Sequence, residues 1–270
     1  MRKKEVMSAE HELIGEHRKP SFFWLATEIN RALFELGTFY PYNALSRCSD
    51  EGDGHPVLVL PGFMATDIST KPLRTHLEKC GYSGYGWGLG RNYASTDYLD
   101  ELVNLCESLY RSHKQKVSVI GWSLGGIFAR QVAKELPHII RQVITLGSPF
   151  GDIQRPNNAV WLYNILTNGK GTETVDQELI ADIPRPAPVP STAIYSKEDG
   201  VVPWQACMES INSDIHQNIQ VRGSHLGLGV NPVVLKIVID RLQYREENWS
   251  KWEPSGIFED LLSDHRAVRA

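Results

Sequence analysis

Five short apolar segments, separated by helical patterns, constrain the fold of this chain more than any other feature of its sequence. Each segment is rich in β-branched residues, and most of them end at a glycine, a proline or a polar residue, as strands do. They cover residues 57–62, 117–123, 143–150, 191–197 and 219–225. Their continuous apolar character is typical of strands buried on both faces, and helical spacing of apolar residues lies between them at 99–109 and 127–136. The alternation predicts an α/β fold with a mostly parallel central sheet and helices on both faces.

The reactive groups of such a fold are expected beyond the carboxyl ends of its strands, where one motif stands out. Gly121-Trp122-Ser123-Leu124-Gly125 directly follows a predicted strand and directly precedes a helical pattern. A serine in so tight a turn needs small residues two positions before and after it, because the strand and helix backbones approach closely there. We therefore predict a nucleophilic Ser123 flanked by Gly121 and Gly125, with the N–H of Leu124 at the helix start binding negative charge. An ordinary glycine-rich turn is the alternative.

A second strand end offers the other donor that acyl transfer requires. Leu60-Pro61-Gly62-Phe63 follows the first predicted strand, and we expect the backbone N–H of Phe63 to complete an oxyanion hole with that of Leu124. Pro-Gly is also a common turn pair, so a plain turn is the alternative here.

Two further strand ends supply an acid and a base in the chain order Ser, Asp, His. Asp199 follows the fourth predicted strand and is predicted to orient the histidine, although the neighbouring Glu198 and the more distant Asp152 are competitors. His225 lies in the glycine-rich Gly-Ser-His-Leu-Gly loop after the last strand, and we predict that it activates Ser123. This order differs from those of the chymotrypsin and subtilisin types.

Together these motifs resemble the α/β-hydrolase superfamily, and especially its esterase and lipase branch, over residues 56–242. The resemblance is carried by GWSLG, LPGF, EDGVV and GSHLG, with TLGSPFG at 145–151 as a further likeness. It implies an α/β-hydrolase fold with a small cap, and a serine hydrolase that cleaves carboxylic esters through an acyl-enzyme without a cofactor or metal. The same triad would also serve an acyltransferase, a thioesterase or an amidase, and a non-catalytic binding protein can keep such a fold.

The predicted domain organisation has three parts. A hydrolase domain covers 51–244, with a cap at about 151–190 whose apolar residues could line an acyl pocket or, alternatively, pack on the body. Trp161 and Tyr163 of this segment, together with Trp122 of the serine motif, are candidates for the substrate pocket. Residues 245–270 form a tail, and 1–50 form a helical extension packed on the body. Within 21–39 the extension has an apolar stripe that could instead contact a membrane surface or a partner. The stripe comprises Phe22, Leu25, Ala26, Ile29, Leu33 and Leu36.

Composition narrows the partners and the compartment. A net charge of -4 and a pI near 6.1 give no basic field for nucleic acid, so a small-molecule or lipid ester is the expected partner. The four cysteines are widely spaced, which predicts mostly reduced thiols and no metal site. We expect a cytoplasmic protein, because the sequence contains no signal-like segment and no long apolar span.

Overall fold

The computed structural model describes residues 20–46, 48, 52–151, 177–211 and 213–254, and its centre is a six-stranded sheet. The strands are β1 (Pro56–Leu60), β2 (Ser83–Gly86), β3 (Val117–Trp122), β4 (Ile140–Leu146), β5 (Ser191–Ser196) and β6 (His216–Val221). They lie in the order β2-β1-β3-β4-β5-β6, and every neighbouring pair is parallel. The predicted α/β class with a parallel sheet is therefore confirmed, and all six carboxyl ends lie along one edge.

Burial explains which strands the sequence pattern revealed. β1, β4 and β5 are buried along their whole length, in keeping with their continuous apolar segments. β2 lies at the sheet edge and consists of Ser-Gly-Tyr-Gly, which is only half-buried, so its sequence lacks the apolar run by which the other strands were predicted. β4 also ends earlier than predicted, at Leu146, and residues 147–150 belong to the loop that follows it.

Helices cover both faces of this sheet. They are α1 (Phe22–Leu45), α2 (Asp67–Lys79), α3 (Tyr98–His113), α4 (Leu124–Glu135), α5 (Gln177–Asp182) and α6 (Pro232–Gln243). α3 and α4 pack together on one face, whereas α1, α2 and α6 share the other face. None of the helices within the described ranges is long and apolar enough to cross a membrane.

The predicted cap is described only at its carboxyl-terminal end. Residues 152–176, which include Trp161 and Tyr163, lie outside the described residues. Beyond α5, the side chains of Ile183, Ala187 and Val189 are buried in the same core cluster as α3 and α4. The part of the predicted cap after α5 is therefore a component of the body.

The orientation of α1 differs from the sequence-based expectation. Most of its predicted apolar stripe faces outward, with Phe22 82% and Ile29 66% exposed, and of the stripe Leu36 packs against the core. Glu28, Glu35 and Phe39 are instead buried against the body. α1 lies within the predicted extension 1–50 and is in contact with the body through its buried residues, but the expectation that the apolar stripe forms this contact is wrong. The two carboxylates find backbone donors on the body, which the sequence pattern of α1 alone did not reveal.

The cysteines also depart from expectation. A disulfide joins Cys48, which follows α1, to Cys80 at the end of α2, so the expectation of reduced thiols is wrong for this pair. Cys106 and Cys207 are free and buried, and burial raises the pKa of the Cys106 thiol to about 12. The disulfide connects the extension covalently to the sheet-bearing body.

Candidate active site

Ser123 occupies the sharp turn between β3 and α4. Its φ of 53° lies in the left-handed region, with ψ at -123°, a strained conformation for a residue with a side chain. A Cβ atom on Gly121 would collide with the backbone of Gly126, and one on Gly125 would lie 2.5 Å from the carbonyl oxygen of Leu60. The two glycines therefore permit β3 and α4 to approach closely, and Ser123 lies in the turn between them at the carboxyl end of β3.

The structure brings Ser123, His225 and Asp199 into one hydrogen-bonded chain. Nδ1 of His225 lies 2.6 Å from Oδ2 of Asp199, and Nε2 lies 3.0 Å from Oγ of Ser123. Because a carboxylate only accepts hydrogen bonds, Nδ1 carries the proton and Nε2 is left to accept from the hydroxyl. The other oxygen of Asp199, Oδ1, accepts from the backbone N–H groups of Val201 and Val202 at 2.8 and 2.7 Å. All three side chains are buried, so the hydrogen bonds are shielded from bulk water.

The electrostatics of His225 suit a proton acceptor. Burial alone would lower the pKa of the imidazole, but the charge of Asp199 and its hydrogen bond, together with the charge of Glu28, raise this pKa above its ordinary value of 6.5. A histidine with a raised pKa accepts a proton more readily. The neutral, proton-accepting form is lost as the pH falls through the raised value.

The two competing acids are placed differently. Glu198 precedes Asp199 and uses its backbone N–H to donate to Ser196 Oγ, whereas the hydrogen bond of His225 goes to Asp199. Asp152 lies outside the described residues. Asp199 is thus the carboxylate that contacts the imidazole within the part of the chain that the structure describes.

The two predicted oxyanion donors lie beside Ser123. Leu124 is the first residue of α4, and a Cβ atom built on Gly62 would lie 3.2 Å from the Cβ of Ser123, which places the loop of Phe63 against the serine. Neither Phe63 nor Leu124 uses its N–H in a hydrogen bond to another described residue. The N–H groups of Phe63 and Leu124 are consequently without a hydrogen-bond partner among the described residues.

A buried asparagine that the sequence analysis did not single out holds this loop. Asn92 donates from Nδ2 to the carbonyl oxygen of Pro61 at 2.9 Å, and its backbone carbonyl oxygen accepts from Met64 N–H at 2.7 Å. Arg91 donates to the Met64 carbonyl oxygen at 2.8 Å. The signal in the sequence was an amide side chain in the glycine-rich stretch 88–92, between β2 and α3.

A pocket of about 370 Å³ opens onto Ser123 and His225. Its walls are mainly apolar, and they are formed by Phe63, Ala65, Trp122, Val201 and Leu226. Trp122 also donates from its indole nitrogen to the carbonyl oxygen of His225 at 3.0 Å, so it contacts both the pocket and the base. Trp122, a candidate for the substrate pocket, thus lines the pocket beside Ser123.

A second Asp-His-Ser chain lies at the amino-terminal ends of the strands, opposite the carboxyl ends that carry Ser123. Nδ1 of His55 lies 2.5 Å from Asp53 Oδ1, and its Nε2 lies 2.8 Å from Oγ of Ser118 on β3. His55 and Ser118 are both fully buried, so a substrate cannot reach this hydroxyl. Ser118 is therefore a structural counterpart to Ser123, with similar partners but without access.

Among the described residues, the one group of metal-ligand type lies away from the pocket. His76, Cys48 and Cys80 place their ligand-type atoms within 4.8 Å of one another. The two sulfur atoms are joined in the disulfide and are not thiolates, which are the form that binds metals. These residues belong to the connection between α1 and α2.

Comparisons with known proteins agree with this architecture. Residues 90–179 match the family described as PGAP1-like alpha/beta domain. An uncharacterized protein of Saccharomyces cerevisiae is 29% identical over 92 residues, which represent 31% of this chain and 13% of the yeast protein. The match thus spans only a small part of the length of this curated relative.

Solved structures extend the likeness over most of the chain. One structure from the work on LipS and LipT, two metagenome-derived lipolytic enzymes, aligns with a TM-score of 0.55 at 16% identity. The alignment covers 71% of this chain and 94% of that one. Lipase B of Aspergillus fumigatus has a TM-score of 0.53 at 16% identity, covering 71% of this chain and 53% of that one. The monoacylglycerol lipase of Paleococcus ferrophilus has a TM-score of 0.50 at 12% identity, covering 69% and 96%. At these identities the likeness is one of fold.

Proposed function

Because this chain has the α/β-hydrolase fold, we propose that it is a serine hydrolase that cleaves carboxylic esters through an acyl-enzyme on Ser123. The observation that carries the proposal is the hydrogen-bonded chain from Ser123 through His225 to Asp199 at the floor of an apolar pocket. The fully buried Ser118 has comparable partners, so it is access to the pocket that favours Ser123 as the nucleophile.

In the proposed reaction, Nε2 of His225 takes the hydroxyl proton while Oγ of Ser123 forms a bond to the ester carbonyl carbon. The carbonyl oxygen becomes an oxyanion that accepts from the N–H groups of Phe63 and Leu124. When the intermediate collapses, the bond to the alcohol oxygen breaks and His225 returns the proton to the departing alcohol. Water then attacks the acyl-enzyme by the same route, and the carboxylic acid is released.

The pocket supports an uncharged substrate with an apolar acyl group. Its walls are mainly apolar, and the negative charges of Asp199 and Glu28 act on His225 beside it. A negatively charged substrate would be repelled by these two carboxylates. We therefore propose a small-molecule or lipid ester as substrate. The structural neighbours that are lipases or lipolytic enzymes, among them a monoacylglycerol lipase, support this choice.

The test is fluorophosphonate labelling and turnover of p-nitrophenyl esters by the full chain and by two matched variants. Ser123→Ala should abolish labelling and lower kcat by at least about 10⁴-fold, because it removes the nucleophile. Ser118→Ala should retain labelling and turnover, although the loss of a buried hydrogen bond should reduce the free energy of unfolding by about 1–3 kcal/mol. Labelling that persists in Ser123→Ala would place the nucleophile elsewhere.

The leaving group and the acceptor require a separate comparison. An ester, a thioester and an amide that share one acyl group should differ in kcat/KM, with the ester preferred under this proposal. Added alcohol should not replace water as the main acceptor. Preference for the thioester or the amide, or transfer to the alcohol, would assign the same triad to a thioesterase, an amidase or an acyltransferase.

A further inference from the structure

The inward face of α1 joins the two loops that carry the acid and the base. Glu28 is only 3% exposed, and its Oε1 accepts from the N–H of Leu226 at 2.8 Å. Its Oε2 accepts from the N–H of Gly200 at 3.1 Å. Gly200 directly follows Asp199, and Leu226 directly follows His225. One side chain therefore bridges the two loops within one residue of each member of the pair.

A second carboxylate, two helical turns further along, holds the other side of the histidine loop. Glu35 accepts from the N–H and the hydroxyl of Ser224 at 2.9 and 2.5 Å and from Asn231 Nδ2 at 3.3 Å. Residues seven apart on a helix share a face, so Glu28 and Glu35 act together on this loop. The backbone N–H groups on both sides of His225 are consequently bound by α1.

The loops have glycine where α1 crosses them. A Cβ atom on Gly200 would lie 2.5 Å from the carbonyl oxygen of Trp24 in the first turn of α1. A Cβ atom on Gly227 would collide with the carboxylate of Glu35. Any larger residue at position 200 or 227 would therefore clash with α1, so glycine at both positions allows the helix to pack against the two loops.

The choice of carboxylates at this contact has a physical consequence. Burying a charge is unfavourable unless hydrogen bonds or an opposite charge compensate for it, and apolar residues of similar size often stabilise a protein as much or more. Glu28 has its two backbone donors and Arg31 at 2.8 Å as compensation. An apolar side chain at this position would provide neither a hydrogen-bond acceptor shared by the two loops nor a negative charge close to His225.

From this arrangement we propose that Glu28 is a positioning residue of the active site, which fixes the acid loop against the histidine loop and contributes negative charge at His225. The inference rests on the proposed hydrolase function. It makes α1 part of the catalytic apparatus. Glu35 supports the same loop through Ser224, without facing the imidazole.

Because the charge of Glu28 acts on the pKa of His225, the pH dependence of activity distinguishes the proposed role of Glu28 from a purely structural one. The charged groups that raise the pKa of His225 are Asp199 from the acid loop and Glu28 from α1, and Ser123 faces the imidazole as a neutral group. Removal of one negative charge makes the imidazolium less favourable, so the pKa of His225 should fall. The acid limb of the pH profile, which is the range in which kcat/KM falls because His225 becomes protonated, should then move to lower pH.

The experiment compares Glu28→Gln, Glu28→Asp and Glu35→Gln in the full chain, with Glu107→Gln on the exposed face of α3 as the control. Glu28→Gln keeps the side-chain length but loses the charge and one acceptor. It should lower kcat by about 10- to 100-fold with little change in KM, and its acid limb should move to lower pH. Glu28→Asp keeps the charge, so its acid limb should stay near that of the wild type even if kcat falls. Glu35→Gln should lower kcat and leave the acid limb in place, whereas Glu107→Gln should match the wild type.

The outcomes separate this inference from the proposed function. A wild-type kcat and an unmoved acid limb in Glu28→Gln would overturn the positioning role while leaving the hydrolase proposal intact. An acid limb that moves equally in Glu28→Asp would also overturn it, because the charge would then not be the cause. If Glu28→Gln fails to fold, as judged by circular dichroism, kcat of Glu28→Asp decides, because the shorter carboxylate cannot bridge both loops and a wild-type kcat in this variant would overturn the positioning role. A wild-type chain that neither labels nor turns over esters would overturn both proposals.

Discussion

Asp199→Asn tests the proposed triad most directly, because the structure predicts how the new amide must be oriented. Oδ1 of Asp199 accepts from two backbone N–H groups, those of Val201 and Val202. An asparagine retains both hydrogen bonds only if its carbonyl oxygen takes this position. Its NH₂ group then faces Nδ1 of His225, where Oδ2 was 2.6 Å away. A donor at that place favours the tautomer in which Nε2 carries the proton, and that nitrogen can no longer accept the proton of Ser123.

The expected loss is large in activity and small in stability. The corresponding change in serine proteases lowers kcat by about 10⁴-fold, which is about 5.5 kcal/mol at about 1.36 kcal/mol for each tenfold. Because two of the three hydrogen bonds of Asp199 remain, we expect the free energy of unfolding to fall by only about 1–2 kcal/mol. The pKa of His225 should also fall, because the charge that opposed the effect of burial is gone. Any residual activity should therefore extend to lower pH than in the wild type.

The assay is p-nitrophenyl ester turnover between pH 5 and 9, with thermal unfolding followed by circular dichroism. Glu198→Gln is the matched control, since it neutralises the adjacent carboxylate, which does not contact His225. It should keep kcat within about threefold of the wild type, as for a residue outside the reacting set. A folded Asp199→Asn enzyme with kcat within tenfold of the wild type would refute the reasoning. So would a larger loss in Glu198→Gln than in Asp199→Asn.

Two further predictions concern the surroundings of the site. Asn92→Asp removes the amide donor to Pro61, so it should lower kcat/KM by about tenfold and the free energy of unfolding by about 1–3 kcal/mol. A variant with unchanged activity and melting temperature would show that the loop of Phe63 does not need this contact. The exposed apolar side of α1 supports the alternative of a contact with a membrane surface, which we propose here. The full chain should then float with phosphatidylcholine vesicles, and the combined Phe22→Ser, Ile29→Ser and Phe34→Ser variant should not. Equal flotation of the two proteins, or of neither, would exclude this surface as the membrane contact.

The sequence by itself determined the α/β class and the loops in which the reactive residues would lie. Continuous apolar strands separated by helices leave few arrangements other than a parallel sheet, and the carboxyl ends of parallel strands meet at one edge. Ser123, Asp199 and His225 could therefore be expected near each other before any distance was known. The glycines around Ser123 strengthened this expectation, because a strand-to-helix turn has a local steric requirement that a short motif records.

Only the tertiary structure decided which side chains meet across the chain. Asp199 and Glu198 are neighbours of the same chemical type, and it is Asp199 whose carboxylate is held by the backbone N–H groups of Val201 and Val202 and contacts His225. The apolar stripe of α1 predicted a buried face, yet the helix turns its carboxylates inward, since they pair with backbone donors near His225. The Cys48–Cys80 disulfide is likewise a contact between distant segments. Sequence periodicity records the local preference of an element, whereas the partners of a buried polar group are set by whatever the fold brings beside it.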